Sequence, residues 1–223
     1  AEGRIPESRL HESLQRREEA LHRCPKPLFS DTGVDLETAR DRGLCMELIE
    51  RSLEVQGPML SDHHQQNAVN LIRVDGVLPC TFLQADAPSI TTPERHGYEA
   101  LICHDRGIEP WSSDRDSAAP LELKRLGEGT VFLQLFLRGN PFRAGQQRRE
   151  PWAEAIQQLL RVERLSGIAV YGCPYRWDSL RRLIPEGIAA GYSPGQMPEA
   201  QQQLLKRMFG LSEDMHERQD FTD

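Results

Sequence analysis

The second half of the chain alternates between short uninterrupted apolar runs and stretches of helical periodicity. TVFLQLFL, from Thr130, reads as a continuous apolar strand buried on both faces. Residues 151–165 follow as a helix opened by Pro151, with Trp152, Ile156, Leu159 and Leu160 on one side. GIAVY, from Gly167, is a second buried strand. CPYRWDSLRRLI is a helix with Pro174 early, and GIAAGY, from Gly187, is a short strand. MPEAQQQLLKRMFG closes the series as a helix, with Pro198 in its first turn and Gly210 as its stop signal. Apolar strands that alternate with helices build a parallel sheet covered by helices on both faces. The expected fold class is therefore α/β, a doubly wound, mostly parallel sheet.

The first half is less regular. Pro6 opens a charged helix within GRIPESRLHESLQRREEALHR, where Leu10, Leu14, Ala20 and Leu21 make a narrow apolar stripe. A lone helix this polar has little to hold it in water, so it is expected to dock, and not necessarily on the body of this chain. CPKPLFSDTGVD reads as linker and turn. Asp35 is a good N-cap for a second helix, with Leu36, Ala39, Leu44, Leu48 and Ile49 on its apolar side, fading near Ser52. AVNLIRV, residues 68–74, is a β-rich run, and Asp75-Gly76 turns it into VLPCTFLQ, another strand candidate. Residues 86–99, with Pro88, Pro93 and Gly97, read as irregular; Ala100–Cys103 reads as a weak strand and 104–120 as loop. No internal repeat is evident.

Composition acts mainly by exclusion. Across 223 residues, 27 Lys and Arg against 34 Asp and Glu give a net charge of −7. An acidic chain without a basic block does not neutralise phosphates, so no nucleic-acid partner is expected. No run of about eighteen apolar residues predicts a membrane span, and no basic segment followed by an apolar one predicts a signal peptide. Cys24, Cys45, Cys80, Cys103 and Cys173 are widely spaced with no C-x-x-C pair. They read as reduced thiols packed as small hydrophobes, which points to the cytoplasm. His63-His64 is the one histidine cluster, and adjacent residues point to different faces of an element. A metal held there with His96, Cys103 and His104 weighs less than a polar surface loop, so no metal is assigned. Neither a P-loop nor a G-x-G-x-x-G is present, and no cofactor is assigned.

Ligands of open parallel sheets gather at the carboxyl ends of the strands. Three unusual segments fall at that edge: FLRGNPFR (136–143), YGCPY (171–175) and GYSPGQMPEAQ (191–201). They make either a shared binding or docking surface, or merely the Gly and Pro that turns need. Gly191-Tyr192-Ser193-Pro194-Gly195 fits the G-x-S-x-G nucleophile elbow, but the residue after the serine must lend its backbone N–H to the oxyanion hole, and Pro194 has none. A serine hydrolase is disfavoured.

Taken together, these segments resemble the C-terminal part of glycoside hydrolase family 3 enzymes, most closely those of cyanobacteria. The first helix is similar to the one that closes the family's catalytic (β/α) barrel, with Gly3, Arg9, Leu10, Ser13 and Leu14 matching and His11 replacing the usual Asp. AVNLIRVDGVLP resembles the strand that opens the family's second domain, with Leu71, Ile72, Asp75, Leu78 and Pro79 matching and Arg73 where Lys is common. FLRGNPFR, YGCPY and YSPGQMPEAQ resemble late motifs of the cyanobacterial subgroup.

The resemblance implies that residues 1–34 are the last barrel helix plus linker and 35–211 the α/β C-terminal domain; residues 212–223 read by composition as a polar tail. It implies an N-terminal catalytic barrel domain of the same protein as partner and a carbohydrate substrate, β-linked N-acetylglucosamine or glucose. The family's nucleophilic Asp and the His–Asp pair of its β-N-acetylhexosaminidase branch lie in the barrel. The Glu that often serves as acid/base from the second domain of β-glucosidases has no match here. No catalytic residue is carried over, and the chain alone is expected to be inactive.

A second domain can still wall the active-site mouth, exclude water and orient a sugar. Arg138, Asn140, Arg143, Tyr171, Tyr175, Tyr192, Ser193 and Gln196 are the candidate substrate-binding or barrel-facing residues. The alternative is that Arg138 and Asn140 only fix a turn and the tyrosines only pack. At the level of function, two readings compete with the accessory domain: a free-standing sugar- or nucleotide-binding module of flavodoxin-like shape, and an interaction protein that docks a separate catalytic subunit.

Overall fold

The apolar runs assemble into one sheet. The computed structural model describes residues 6–24, 39–62, 67–74, 82–103, 111, 121–138 and 151–211. Its six strands are β1 (Glu54–Gln56), β2 (Ala68–Val74), β3 (Tyr98–Cys103), β4 (Val131–Leu137), β5 (Leu165–Gly172) and β6 (Ala189–Ser193). They lie in the order β1-β6-β5-β4-β2-β3. Every pairing is parallel except β1 with β6, which is antiparallel. The expected α/β class is what the chain adopts. The three-residue edge strand β1 is an addition, too short to show a period in the sequence.

The chain divides into two compact units, Ala1–Ala39 and Arg40–Asp223. In the first, helix α1 (Glu7–Arg23) follows Pro6, whose fixed φ suits a helix start. Glu7 in its first turn and His22 and Arg23 in its last complement the helix dipole, and Arg9 pairs with Glu12 at 2.9 Å. None of its residues is buried; Leu10, Leu14 and Leu21 are all exposed.

The second unit holds the sheet. Side chains alternate across it as a pleat requires. On one face, Leu71, Val131, Leu133, Leu135, Ile168 and Val170 pack on helices α4 (Trp152–Arg161) and α5 (Pro174–Leu180). On the other, Ile72, Phe132, Phe136 and Ala169 pack on α2 (Ala39–Ser52), α3 (Pro88–Arg95) and α6 (Pro198–Met208).

The structure corrects several expectations. Helix α2 buries Ile49 and partly buries Met46, whereas Leu44 and Leu48, expected on its apolar side, are 49% and 70% exposed. Asp35 and Leu36 lie outside the described residues, as do the Asp75-Gly76 turn and residues 77–81 of the VLPCTFLQ strand candidate; Phe82–Gln84 form no strand. The helix expected to run to residue 165 ends at Arg161, and the N–H of Arg164 bonds the carbonyl of Leu159 at 3.0 Å. That is a Schellman closure with Glu163, φ 55°, at the left-handed position where glycine is usual. Helix α6 closes the same way, the N–H of Leu211 reaching Lys206 at 2.9 Å, but with Gly210, φ 65°, at that position. Only the second stop is visible as a letter in the sequence.

Helix α3 replaces the irregular stretch expected over 86–99. Pro88 stands in its first turn, where no N–H is needed. Pro93 lies inside it and cannot donate to the carbonyl four residues back, which belongs to Ser89. That carbonyl accepts instead from Asn70 Nδ2 at 2.8 Å and Gln134 Nε2 at 2.6 Å. Two strand amides thus satisfy the acceptor that Pro93 leaves open, and a helix tolerates an internal proline.

Of the described cysteines, Cys24 and Cys45 are exposed, which departs from the expectation of packed thiols; Cys103 is buried and Cys173 half-buried. Among the described residues, no helix is long and apolar enough to cross a membrane.

Candidate functional site

Strands β4, β5 and β6 are adjacent and parallel, so the segments that follow them meet at one edge. The β4 and β5 ends approach closely. The N–H of Cys173 bonds the carbonyl of Leu137 at 3.0 Å. At Gly172, φ 109°, a Cβ would stand 2.2 Å from that same carbonyl oxygen, so only glycine fits. Tyr192 closes the third strand onto the other two, its hydroxyl donating to the Gly172 carbonyl at 3.0 Å.

Arg138 leaves the end of β4 half-buried. Its Nε donates to Gln196 Oε1 at 3.0 Å, and its guanidinium lies 6.0 Å from the centre of the Phe82 ring. Gln196, buried, donates from Nε2 to the carbonyl of Tyr171 at 3.1 Å. The structure therefore brings together Arg138, Gln196 and the β5 end, from three different segments. A planar cation held at its Nε is suited to hydroxyls and carboxylates.

The other candidates fall elsewhere. The Tyr171 ring is wholly buried, stacked on Phe136 at 4.4 Å, with its hydroxyl donating to Gln134 Oε1 at 3.0 Å. Burial pushes its phenol well above the ordinary tyrosine range. Tyr192 is buried and stacks on Trp177 at 5.7 Å; burial, reinforced by Cys173, Glu54 and Asp178, pushes its phenol up to about 12. Both rings pack, and neither presents a face to a sugar. Ser193 is buried and its Oγ accepts the N–H of Gly195 at 3.2 Å, a turn rather than a nucleophile. Tyr175 is 82% exposed. Asn140 and Arg143 lie outside the described residues.

Among the described residues gathered at this edge there is no carboxylate pair for glycosidic acid–base work. Among the described residues, no group of three His, Cys, Asp or Glu side chains could hold a metal. His63, His64 and His104 lie outside them. His96 pairs with Asp62 at 2.5 Å and stacks on Phe209, at the opposite end of β3 from Cys103.

Sequence reasoning missed the amides behind the edge. Asn70 sits in β2, which also carries Arg73, and Gln134 sits in the otherwise apolar β4; Gln134 Nε2 donates to Asn70 Oδ1 at 2.7 Å. Gln201, in α6, is fully buried. For Gln134 the available signal was a lone amide inside an apolar run, which a count of hydrophobic letters passes over; Gln201, the first of three consecutive glutamines, gave none.

A family model for the bacterial glycosyl hydrolase family 3 C-terminal domain matches residues 61–210. The chain belongs to that family. The match spans β2 to β6 and all the edge segments described above. Solved structures similar in fold include a glycoside hydrolase family 3 β-N-acetylglucosaminidase from Paenibacillus sp. str. FPU-7, with 16% identity and a TM-score of 0.48 over 93% of this chain and 38% of that one. A β-N-acetylglucosaminidase from Thermotoga maritima has 13% identity and a TM-score of 0.39 over 90% and 36%. A β-glucoside phosphorylase, BglX, has 10% identity and a TM-score of 0.49 over 93% and 37%. The chain thus spans well under half the length of each. No curated protein matches it.

Proposed function

We propose that this family 3 C-terminal domain is the accessory part of a two-domain glycosidase. It pairs with an N-terminal catalytic barrel of the same protein, supports or lines the mouth of that barrel's active site, and does not hydrolyse glycosides alone. The substrate is a β-linked N-acetylglucosamine or glucose, which rests on the sequence resemblance. Residues 1–34 are the last barrel helix and linker. The exposed leucine stripe of α1 supports that assignment.

The observation that carries the reading is the family match together with the Arg138–Gln196 contact at the sheet edge. Arg138 is the working residue of that edge, held by Gln196; Tyr175 is the accessible aromatic. Asn140 and Arg143 follow Arg138 in the sequence and are proposed to share its substrate-binding role.

The test is hydrolysis of chromogenic N-acetylglucosaminide and glucoside substrates, by this chain alone and by the intact two-domain enzyme. The chain alone is expected to show no turnover. In the intact enzyme, Arg138→Ala is expected to raise KM by about tenfold or more, the scale of a lost charged hydrogen bond. Turnover by the isolated chain overturns the accessory role. Calorimetric binding of N-acetylglucosamine or a nucleotide by the isolated chain favours the free-standing binding module.

A further inference from the structure

The contacts around Arg138 lead inward to one amide. Gln201 Oε1 accepts the N–H of Ser89 at 3.1 Å, an otherwise open donor in the first turn of α3. Its Nε2 donates to the Phe82 carbonyl at 3.0 Å and to the Gln196 carbonyl at 2.8 Å. Those two carbonyls belong to two residues that contact Arg138: Gln196 takes its Nε, and the Phe82 ring centre lies 6.0 Å from its guanidinium. A single buried side chain therefore ties these two contacts of the arginine to each other and to α3. The amide has one orientation there, because the Ser89 N–H needs an acceptor and the two carbonyls need donors.

We propose that Gln201 is the positioning residue of this edge: by holding Phe82 and Gln196 in register it sets where the Arg138 guanidinium stands. The role of Arg138 rests on the function proposed above, but its positioning is a property of this chain and is tested without a substrate. An arginine has many rotamers to lose, and holding it beforehand lowers the entropic cost of using it.

The experiment follows the Arg138 Nε–Hε signal of the 15N-labelled chain, assigned with Arg138→Lys. In the native chain the Hε, bonded to Gln196, is expected to exchange slowly with water. In Gln201→Met, which keeps the shape and removes the amide, exchange is expected to rise by about tenfold, the scale of one lost hydrogen bond, with the backbone signals of β4 and β5 retained. Should Gln201→Met not fold, Gln201→Glu serves, since it keeps the acceptor for Ser89 and leaves at least one carbonyl without its donor. An unchanged Arg138 signal in a folded variant overturns the proposal. In the intact enzyme, Gln201→Met is expected to raise KM in the same direction as Arg138→Ala. A loosened Arg138 with KM unmoved by either substitution sinks the functional role and leaves the positioning standing. A KM raised by Arg138→Ala, with an Arg138 signal unmoved in Gln201→Met, does the reverse.

Discussion

The two faces of the sheet hold their helices by different physics. On the face under α4 and α5, Leu133, Leu135, Ile168 and Val170 meet Trp152, Ile156 and Leu159. The one buried charge there among the described residues is Arg73, whose guanidinium lies 5.5 Å from the ring centres of both Trp111 and Trp152. On the face under α2, α3 and α6, Phe132 and Phe136 flank Gln134, and α3 is gripped by amides: Asn70 and Gln134 on the Ser89 carbonyl, Gln201 on its N–H. Apolar contact is non-directional and rewards burial. Hydrogen bonds between buried amides have narrow geometry and are costly to leave unmade. The first face gives cohesion. The second gives register, and it is the one that continues to the edge where Arg138 stands.

The largest effect is expected on the cohesive face. Leu133→Ala removes a wholly buried side chain between Leu71 and the α4 helix layer, and should cost about 2–5 kcal/mol in urea unfolding while leaving the Arg138 signal in place. A loss under about 1 kcal/mol, or a mobile Arg138, would erase the distinction between the faces.

On the second face, Gln134→Leu keeps the volume but strips Asn70 Oδ1 of a donor and the Tyr171 hydroxyl of its acceptor. It should cost about 1–3 kcal/mol for a group left unsatisfied. The comparison sharpens if amide exchange rises first in α3, since the Ser89 carbonyl then depends on Asn70 alone. Uniform exchange through the sheet would assign Gln134 to cohesion instead.

The smallest effect is alkaline. Tyr192 in the folded chain has its phenol pushed up to about 12 from an ordinary value of 10.0. Below pH 10 both folded and unfolded chains keep the proton, and its contribution is complete. Between pH 10 and 12 the unfolded chain ionises first, binds fewer protons, and stability falls as pH rises. Urea midpoints from pH 8 to 11 should decline, and less steeply in Tyr192→Phe. Equal slopes would remove Tyr192 from the account and leave buried Tyr171 and Tyr98, both also raised, as the titrating groups.

Much of the fold was legible because it is local. β4, β5 and β6 announce themselves as apolar runs, and Pro174, Pro198 and Gly210 mark helix ends by backbone chemistry that needs no partner. Legibility failed where a local rule was overridden from a distance. Pro93 argues against a helix until two strand amides take up the Ser89 carbonyl. Glu163 gives no sign that it will adopt a left-handed φ and end α4. Leu44 and Leu48 look like core on α2 and are exposed. At the edge, the segments carrying Arg138, Tyr171 and Gln196 were legible as a group, while the burial of Tyr171 and Tyr192 was not.

What the sequence by itself determined is the alternation of strand and helix, the parallel sheet that follows from it, and the family resemblance carried by the late motifs. All of these depend on residues within a turn or two of each other, or on short strings of letters. Only the tertiary structure decided which side chains meet. Gln201 reaches Phe82 across 119 positions of chain and Arg138 reaches Gln196 across 58. Sheet register sets those distances, and hydrogen bonds accept or reject a partner within a few tenths of an ångström. A site built from such contacts exists only once the strands are paired.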